Sequence, residues 1–103
     1  MAKKIVTIQM DKERHMKIGM NALVQLEKEM GKPITEISKG VSMADLVSIF
    51  YIALKWEDKK LTKEITGDIM DDCIDEHGMD YLTEKMSEAL SGAMGNGKAL
   101  PSQ

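Results

Sequence analysis

The chain has few of the residues that stabilise small proteins by means other than an aliphatic core. Its 103 residues include one cysteine, two prolines, one tryptophan, two tyrosines and one phenylalanine. The single cysteine, Cys73, excludes an internal disulfide and fits a reducing compartment. Folding must therefore depend on burying aliphatic and methionine side chains.

Basic residues and long apolar runs are also scarce. Lysine and arginine number 14 against 17 acidic residues, which gives a formal net charge of −3, and no basic stripe is present to follow a phosphate backbone. No apolar run reaches the roughly 20 residues of a membrane span, and the N-terminal apolar stretch is too short for a signal peptide. We expect neither a nucleic acid nor a membrane partner, and a cytoplasmic protein.

The residues that are present indicate one globular domain. Hydrophobic residues make up 43% of the chain and charged residues 30%, which is typical of a folded rather than a disordered protein. We expect a single domain over residues 1–94. The last nine residues, GNGKALPSQ at 95–103, offer little to bury and are predicted to form a flexible tail.

Periodicity predicts a mainly α fold, a small bundle of about four helices with a short N-terminal β-hairpin. Alternating residues at 5–10 and 15–20 flank a charged turn at 11–14 and predict the hairpin, at about residues 5–20. Helical spacing with capping residues predicts the helices. The first helix is expected at residues 19–30 and the second at 43 to 55 or 56. The third is expected at 63–77, between Thr62 and Gly78, and the fourth at 80–94.

The second predicted helix is unusually apolar. Its residues 43–54, MADLVSIFYIAL, are interrupted only by Asp45 and Ser48. A helix that is apolar on every side needs a large core, lipid or a partner, and a chain of about 100 residues has one thin core. We therefore expect part of this helix to be an association surface.

The third predicted helix has a buried and an acidic face. Helical spacing assigns the buried face to Ile65, Ile69, Met70, Cys73, Ile74 and His77. The other face carries Glu64, Asp68, Asp71, Asp72, Asp75 and Glu76. A solvated helix face is the simplest interpretation of these carboxylates, because hydrophobic residues break the alternation that a calcium loop needs.

Catalytic and metal-binding patterns are weak. Cys73 and His77 lie four residues apart on one helical face, a spacing that suits two ligands of one metal. A structural zinc takes four ligands, however, and the other histidine, His15, lies in a different element. A buried thiol and a helix-end histidine explain the pair better. With no nucleophile beside a base, we expect no catalytic residue, no metal and no cofactor.

Methionine is the one abundant unusual residue, with ten copies. Flexible thioethers fill irregular core gaps and also suit surfaces that fit varied partners. Core filling is expected for Met20, Met30, Met70 and Met86. Partner contact is expected for Met43, Met79 and Met94, which lie near predicted helix ends.

Three blocks of the sequence resemble one protein family. They are GMNALVQLEKEMGKPITEI at 19–37, SMADLVSIFYIALKWEDKKLTKEITGDIMDD at 42–72 and GMDYLTEKMSEALSGAMG at 78–95. In order and spacing they resemble the tail assembly chaperones of long-tailed bacteriophages and related prophages of the Gram-positive type. The resemblance extends over nearly the whole predicted domain.

The resemblance implies a cytoplasmic protein that is absent from the finished virion. Such a protein binds the tape measure protein before the tail tube forms around it and self-associates into a ring or spiral array, with the tail tube protein as a further partner. No catalytic residues are implied. Aromatic residues are enriched at binding hot spots, so Phe50, Tyr51 and Trp56 join Met43 and Met79 as expected partner-binding residues.

Two other functions compete with this one. The first is a minor structural tail or head-tail connector protein of a phage, which would be found in purified virions. The second is a small helical regulator that binds DNA, which would need a cationic recognition helix. The most polar candidate for that helix, residues 62–77, is acidic.

Overall fold

The computed structural model describes residues 5–93, apart from the side chains of residues 37–39, 92 and 93. These residues contain a two-stranded hairpin and four α-helices. This confirms the predicted mainly α fold with an N-terminal hairpin. The elements are β1 (Ile5–Gln9), β2 (Glu13–Lys17), α1 (Met20–Met30), a 3-10 helix (Ile34–Lys39), α2 (Met43–Leu54), α3 (Lys63–His77) and α4 (Met79–Ala93). Met94 and the predicted tail at 95–103 lie outside the described residues.

The hairpin turn is shorter than predicted. The strands pair antiparallel, with Val6 opposite Met16 and Ile8 opposite Arg14, so Arg14 belongs to β2 rather than to the turn. Its side chain is buried beside the core. The burial is possible because Asp11 accepts hydrogen bonds from Nε of Arg14 at 2.7 Å and from Nη2 at 3.0 Å, which satisfies the guanidinium.

Capping residues set the helix ends close to the predicted bounds. Ser42 Oγ accepts the N–H of Asp45 at 3.1 Å at the start of α2, and Thr62 Oγ1 accepts the N–H of Ile65 at 3.1 Å at the start of α3. Gly31 ends α1 in the left-handed conformation with φ 71°, which a glycine adopts without a steric penalty. The caps explain why sequence patterns located these helices to within one or two residues.

Helix α2 lies at the centre of the fold and contacts α1, β2, α3 and α4. The residues Leu46, Ser48, Ile49, Phe50, Ile52, Ala53 and Leu54 are all buried. Met43 and Ala44 are exposed at its first turn, and Asp45, Val47 and Tyr51 are half-buried. A single chain therefore covers most of α2 and leaves Met43 and Ala44 exposed. The expectation that part of this helix is an association surface stays a prediction.

Two residues of α3 lie on the opposite side from the one predicted. Ile65 is 44% exposed, and His77 is also exposed, whereas Thr66 is fully buried. The hydroxyl of Thr66 donates to the carbonyl oxygen of Thr62 at 2.7 Å, so its polar group is satisfied inside the core. The six acidic residues predicted to face away from the core are all exposed.

Helical spacing places Leu82, Met86, Ala89, Leu90 and Ala93 on one stripe of α4. The first four are buried against the other elements, as this spacing predicts. The side chain of Ala93 lies outside the described residues. Tyr81, half-buried on α4, accepts the backbone N–H of Gln9 at 3.0 Å through its hydroxyl oxygen and so attaches α4 to β1.

Truncating Phe50 should test the central position of α2. Because Phe50 has no exposed surface, Phe50→Ala leaves a cavity and should lower the free energy of unfolding by about 3 to 5 kcal/mol. Met43→Ala, at a side chain that is 62% exposed on the same helix, should change it by less than about 0.5 kcal/mol. Urea unfolding followed by circular dichroism measures both. Equal effects of the two substitutions would contradict this packing.

Candidate binding surfaces

A groove lies where the last turn of α2 meets β2 and the start of α1, with a volume of about 860 Å³. We call it the aromatic groove because Tyr51 and Trp56 form part of its wall. The residues that line it are Lys17, Gly19, Met20, Asn21, Ala22, Gln25, Tyr51, Ile52, Lys55, Trp56 and Lys59. It combines apolar rings with three lysines, a composition that suits a partner with both apolar and acidic groups.

The two aromatic rings are held in place by neighbouring groups. Trp56 donates its indole N–H to the carbonyl oxygen of His15 at 2.9 Å, and Lys17 Nζ lies 5.0 Å from the Trp56 ring centroid. Lys55 Nζ lies 5.4 Å from the Tyr51 ring centroid and donates to Gln25 Oε1 at 3.1 Å. Binding at a surface that is already ordered loses less conformational entropy.

A cluster of polar contacts attaches the chain after α2 to the hairpin. Glu57 Oε1 accepts the backbone N–H of His15 at 3.1 Å, and Glu57 Oε2 lies 2.7 Å from His15 Nδ1. Glu13 Oε2 lies 3.2 Å from His15 Nε2. We call the His15, Glu13 and Glu57 contacts the histidine clamp. It fixes the backbone that places Trp56 in the groove wall.

The histidine clamp changes the acid–base properties of its members. The carboxylate of Glu57, followed by that of Glu13, raises the pKa of His15 above its ordinary value of 6.5. Partial burial acts to raise the pKa of Glu57, but hydrogen bonds from His15 outweigh it and leave that pKa lowered. The clamp is therefore strongest when His15 is protonated and Glu57 is ionised.

A second, smaller groove lies near the other end of α2, with a volume of about 320 Å³. We call it the methionine groove. Its lining residues are Met43, Leu46, Val47, Gly67, Asp68, Met70, Asp71, Ile74 and Met79. Met43 is 62% exposed and Met79 is half-buried, while Leu46 and Met70 are buried beneath them. Two carboxylates on α3 give this apolar groove an acidic edge.

The grooves bring together four of the five residues predicted to contact partners. Tyr51 and Trp56 share the aromatic groove, and Met43 and Met79 share the methionine groove. Phe50 does not belong to either surface, because it is fully buried and has no area to offer a partner. The prediction that Phe50 contacts a partner was therefore wrong.

Sequence reasoning missed several other groove residues. Met20 was predicted to fill the core but is 66% exposed at the first turn of α1, where it lines the aromatic groove. Lys17 and Lys59 were not singled out, because they lie in different elements and come together through the folding of β2 onto α2. Periodicity identifies a helix face but does not show which neighbour covers the first turn.

Reactive side chains are engaged elsewhere. Cys73 is buried, its thiol donates to the carbonyl oxygen of Gln9 at 3.3 Å, and burial followed by the charge of Glu76 raises its pKa. The ring of His77 lies 4.5 Å from that of Tyr81. Within residues 5–93, no three histidine, cysteine or acidic side chains are grouped as metal ligands, and no helix has the length and apolarity of a membrane span.

No protein-family model matches the chain, and no curated protein or solved structure matches it. The aromatic groove and the methionine groove contain four of the residues predicted to contact partners. Both are open surfaces that contain methionine, and they differ in the sign of the charges at their edges. Surfaces of this kind suit protein–protein contact rather than the enclosure of a small molecule.

The histidine clamp should make stability depend on pH. Because the folded pKa of His15 is raised, its contribution is complete below about pH 6.5 and is lost as the pH rises through the folded value. The melting temperature should therefore fall as the pH rises above about 6.5. The melting temperature of His15→Gln should not show this fall, whereas that of His77→Gln, a substitution outside the clamp, should still show it. An unchanged pH dependence in His15→Gln would contradict the clamp.

Proposed function

We propose that this protein is a tail assembly chaperone of a long-tailed bacteriophage or prophage. It acts in the cytoplasm of the bacterial host, binds the tape measure protein before tail assembly and does not remain in the mature virion. The resemblance of three sequence blocks supports the family. The open methionine groove, at the surface of a molecule whose core is complete within one chain, supports a binding role.

The methionine groove suits a long and varied client. A tape measure protein is largely helical and presents many different apolar segments, so a chaperone has to accept apolar side chains of different shapes. Unbranched thioethers such as those of Met43 and Met79 adapt to irregular surfaces more readily than branched side chains. The buried Leu46 and Met70 beneath them give the groove an apolar floor.

Self-association explains how a small chaperone covers a long client. One groove of about 320 Å³ accommodates only a few side chains, so many copies have to act along one tape measure protein. Contacts between different surfaces of identical chains repeat without closing or close into a ring. We assign the aromatic groove to such contacts between copies, which leaves the methionine groove for the client. The tail tube protein is a further partner in this proposal, and no catalytic step or cofactor is involved.

Co-expression with the tape measure protein tests the proposal. The wild-type chain should keep the tape measure protein in the soluble fraction. Met43→Asp, which places a charge in the methionine groove, should weaken binding by roughly tenfold, about 1.4 kcal/mol, and so reduce the soluble amount of the tape measure protein. Val24→Asp is the matched control, because Val24 is exposed on α1 and lines neither groove. Quantitative immunoblots of soluble and pelleted fractions give the readout.

Two outcomes would contradict the proposal. A tape measure protein that stays insoluble with the wild-type chain present would reject the chaperone function. Equal rescue by wild type and Met43→Asp would reject the methionine groove as the client surface. Detection of the chain in purified virions would favour the structural tail or connector function instead.

A further inference from the structure

The lysines of the aromatic groove have no carboxylate partner within the described residues. Lys17, Lys55 and Lys59 all line the groove, and within residues 5–93 none of them has an acidic oxygen closer than 4.0 Å. Lys17 and Lys55 instead lie over aromatic rings. In a chain with more acidic than basic residues, this concentration of uncompensated positive charge beside the half-buried Tyr51 and the exposed Trp56 favours an acidic partner.

Helix α3 carries the complementary surface on the same chain. Glu64, Asp72 and Asp75 are exposed on α3 outside the lining of the methionine groove, and we call them the acidic face. Across residues 5–93, no lysine, arginine or histidine nitrogen lies within 4.0 Å of these three carboxylates. Like charges three and four residues apart on a helix destabilise it, and a cationic partner relieves that repulsion.

An apolar side chain lies beside the acidic face. Ile65 is 44% exposed next to Glu64, although it belongs to a helix that otherwise buries its aliphatic residues or keeps them half-buried. A side chain of this size can enter the open aromatic groove and contact Met20 and Trp56, which are 66% and 38% exposed. The acidic face thus offers both kinds of group that the groove is built to contact.

We propose that the aromatic groove of one copy binds the acidic face of α3 of a second copy. The proposal rests on the self-association included in the proposed function and identifies the surfaces that carry it. The groove belongs to β2, α1 and the end of α2, whereas the acidic face belongs to α3, so the contact joins two different surfaces. Each chain keeps one free groove and one free acidic face, and the array grows head to tail.

Paired charge reversals test the contact in purified full-length protein. The first double variant, Lys17→Glu with Lys59→Glu, reverses the charge of two groove lysines. The second, Asp72→Lys with Asp75→Lys, reverses part of the acidic face and changes no residue that lines the methionine groove. Each double variant should self-associate at least about tenfold more weakly than wild type. Mixed in equal amounts, the two should assemble again, because the acidic face of one variant fits the intact groove of the other and the two reversed surfaces also carry opposite charges.

Light scattering after gel filtration and sedimentation velocity measure the mass of the assembly, and circular dichroism shows whether each variant is folded. Lys28→Glu with Lys60→Glu makes the same change of net charge outside the aromatic groove and should assemble like wild type. If a charge reversal unfolds the chain, Lys17→Gln with Lys59→Gln replaces it and should also weaken assembly. For wild type, raising the salt from about 0.1 M to 1 M shortens the screening length from about 10 Å to 3 Å and should lower the mass.

The results separate this proposal from the chaperone function. A wild-type chain that stays monomeric at high concentration, or a mixture of the two double variants that contains only monomers, would overturn the head-to-tail contact. Rescue of the tape measure protein by such a monomer would leave the client-binding function standing. Salt-sensitive assembly without rescue would support the contact and reject the client.

Discussion

The burial of α2 by the remaining elements is the constraint on which the structure depends. A chain of this length has one thin core, and α2 occupies it: α1, β2, α3 and α4 all contact this helix. Seven of its residues are buried, among them Phe50 with no exposed surface. Because the other elements cover the sides of α2, the apolar surface of this helix that remains open lies near its two ends.

This arrangement explains where the two candidate surfaces lie and why their charges differ. Near the first turn, Met43 lies beside carboxylates of α3, and the groove there is apolar with an acidic edge. Near the last turn, the histidine clamp fixes the chain after α2 on the hairpin and positions Trp56 among lysines. A molecule whose opposite ends carry opposite charges can contact copies of itself in one orientation.

Local sequence signals predicted the elements well because the physical causes are themselves local. Ser42, Thr62 and Gly31 satisfy backbone groups within a few residues, so their positions reveal helix ends. The ten apolar residues at 43–54 correctly indicated a helix with little polar face. They could not show whether a neighbouring element or another chain covers it, since that depends on the packing of the whole domain.

The errors arose from side-chain hydrogen bonds that apolar periodicity does not include and from contacts between distant parts of the chain. Arg14 belongs to a strand because Asp11 satisfies its guanidinium, and the charged pattern at 11–14 predicted only a turn. Thr66 replaces Ile65 in the core because its hydroxyl bonds within the helix, an effect that hydrophobic periodicity does not include. The aromatic groove assembles from residues more than 30 positions apart, such as Lys17 and Trp56, so spacing along the chain could not show that these residues share one surface.

Trp56 allows a direct measurement of the central claim, that the open end of α2 is covered by another copy of the chain. It is the only tryptophan in the sequence and is 38% exposed in the aromatic groove. Acrylamide quenching of its fluorescence should weaken, and its emission should shift to shorter wavelength, as protein concentration raises the mass of the assembly. A rise in mass with unchanged quenching, or no rise at all, would contradict the account.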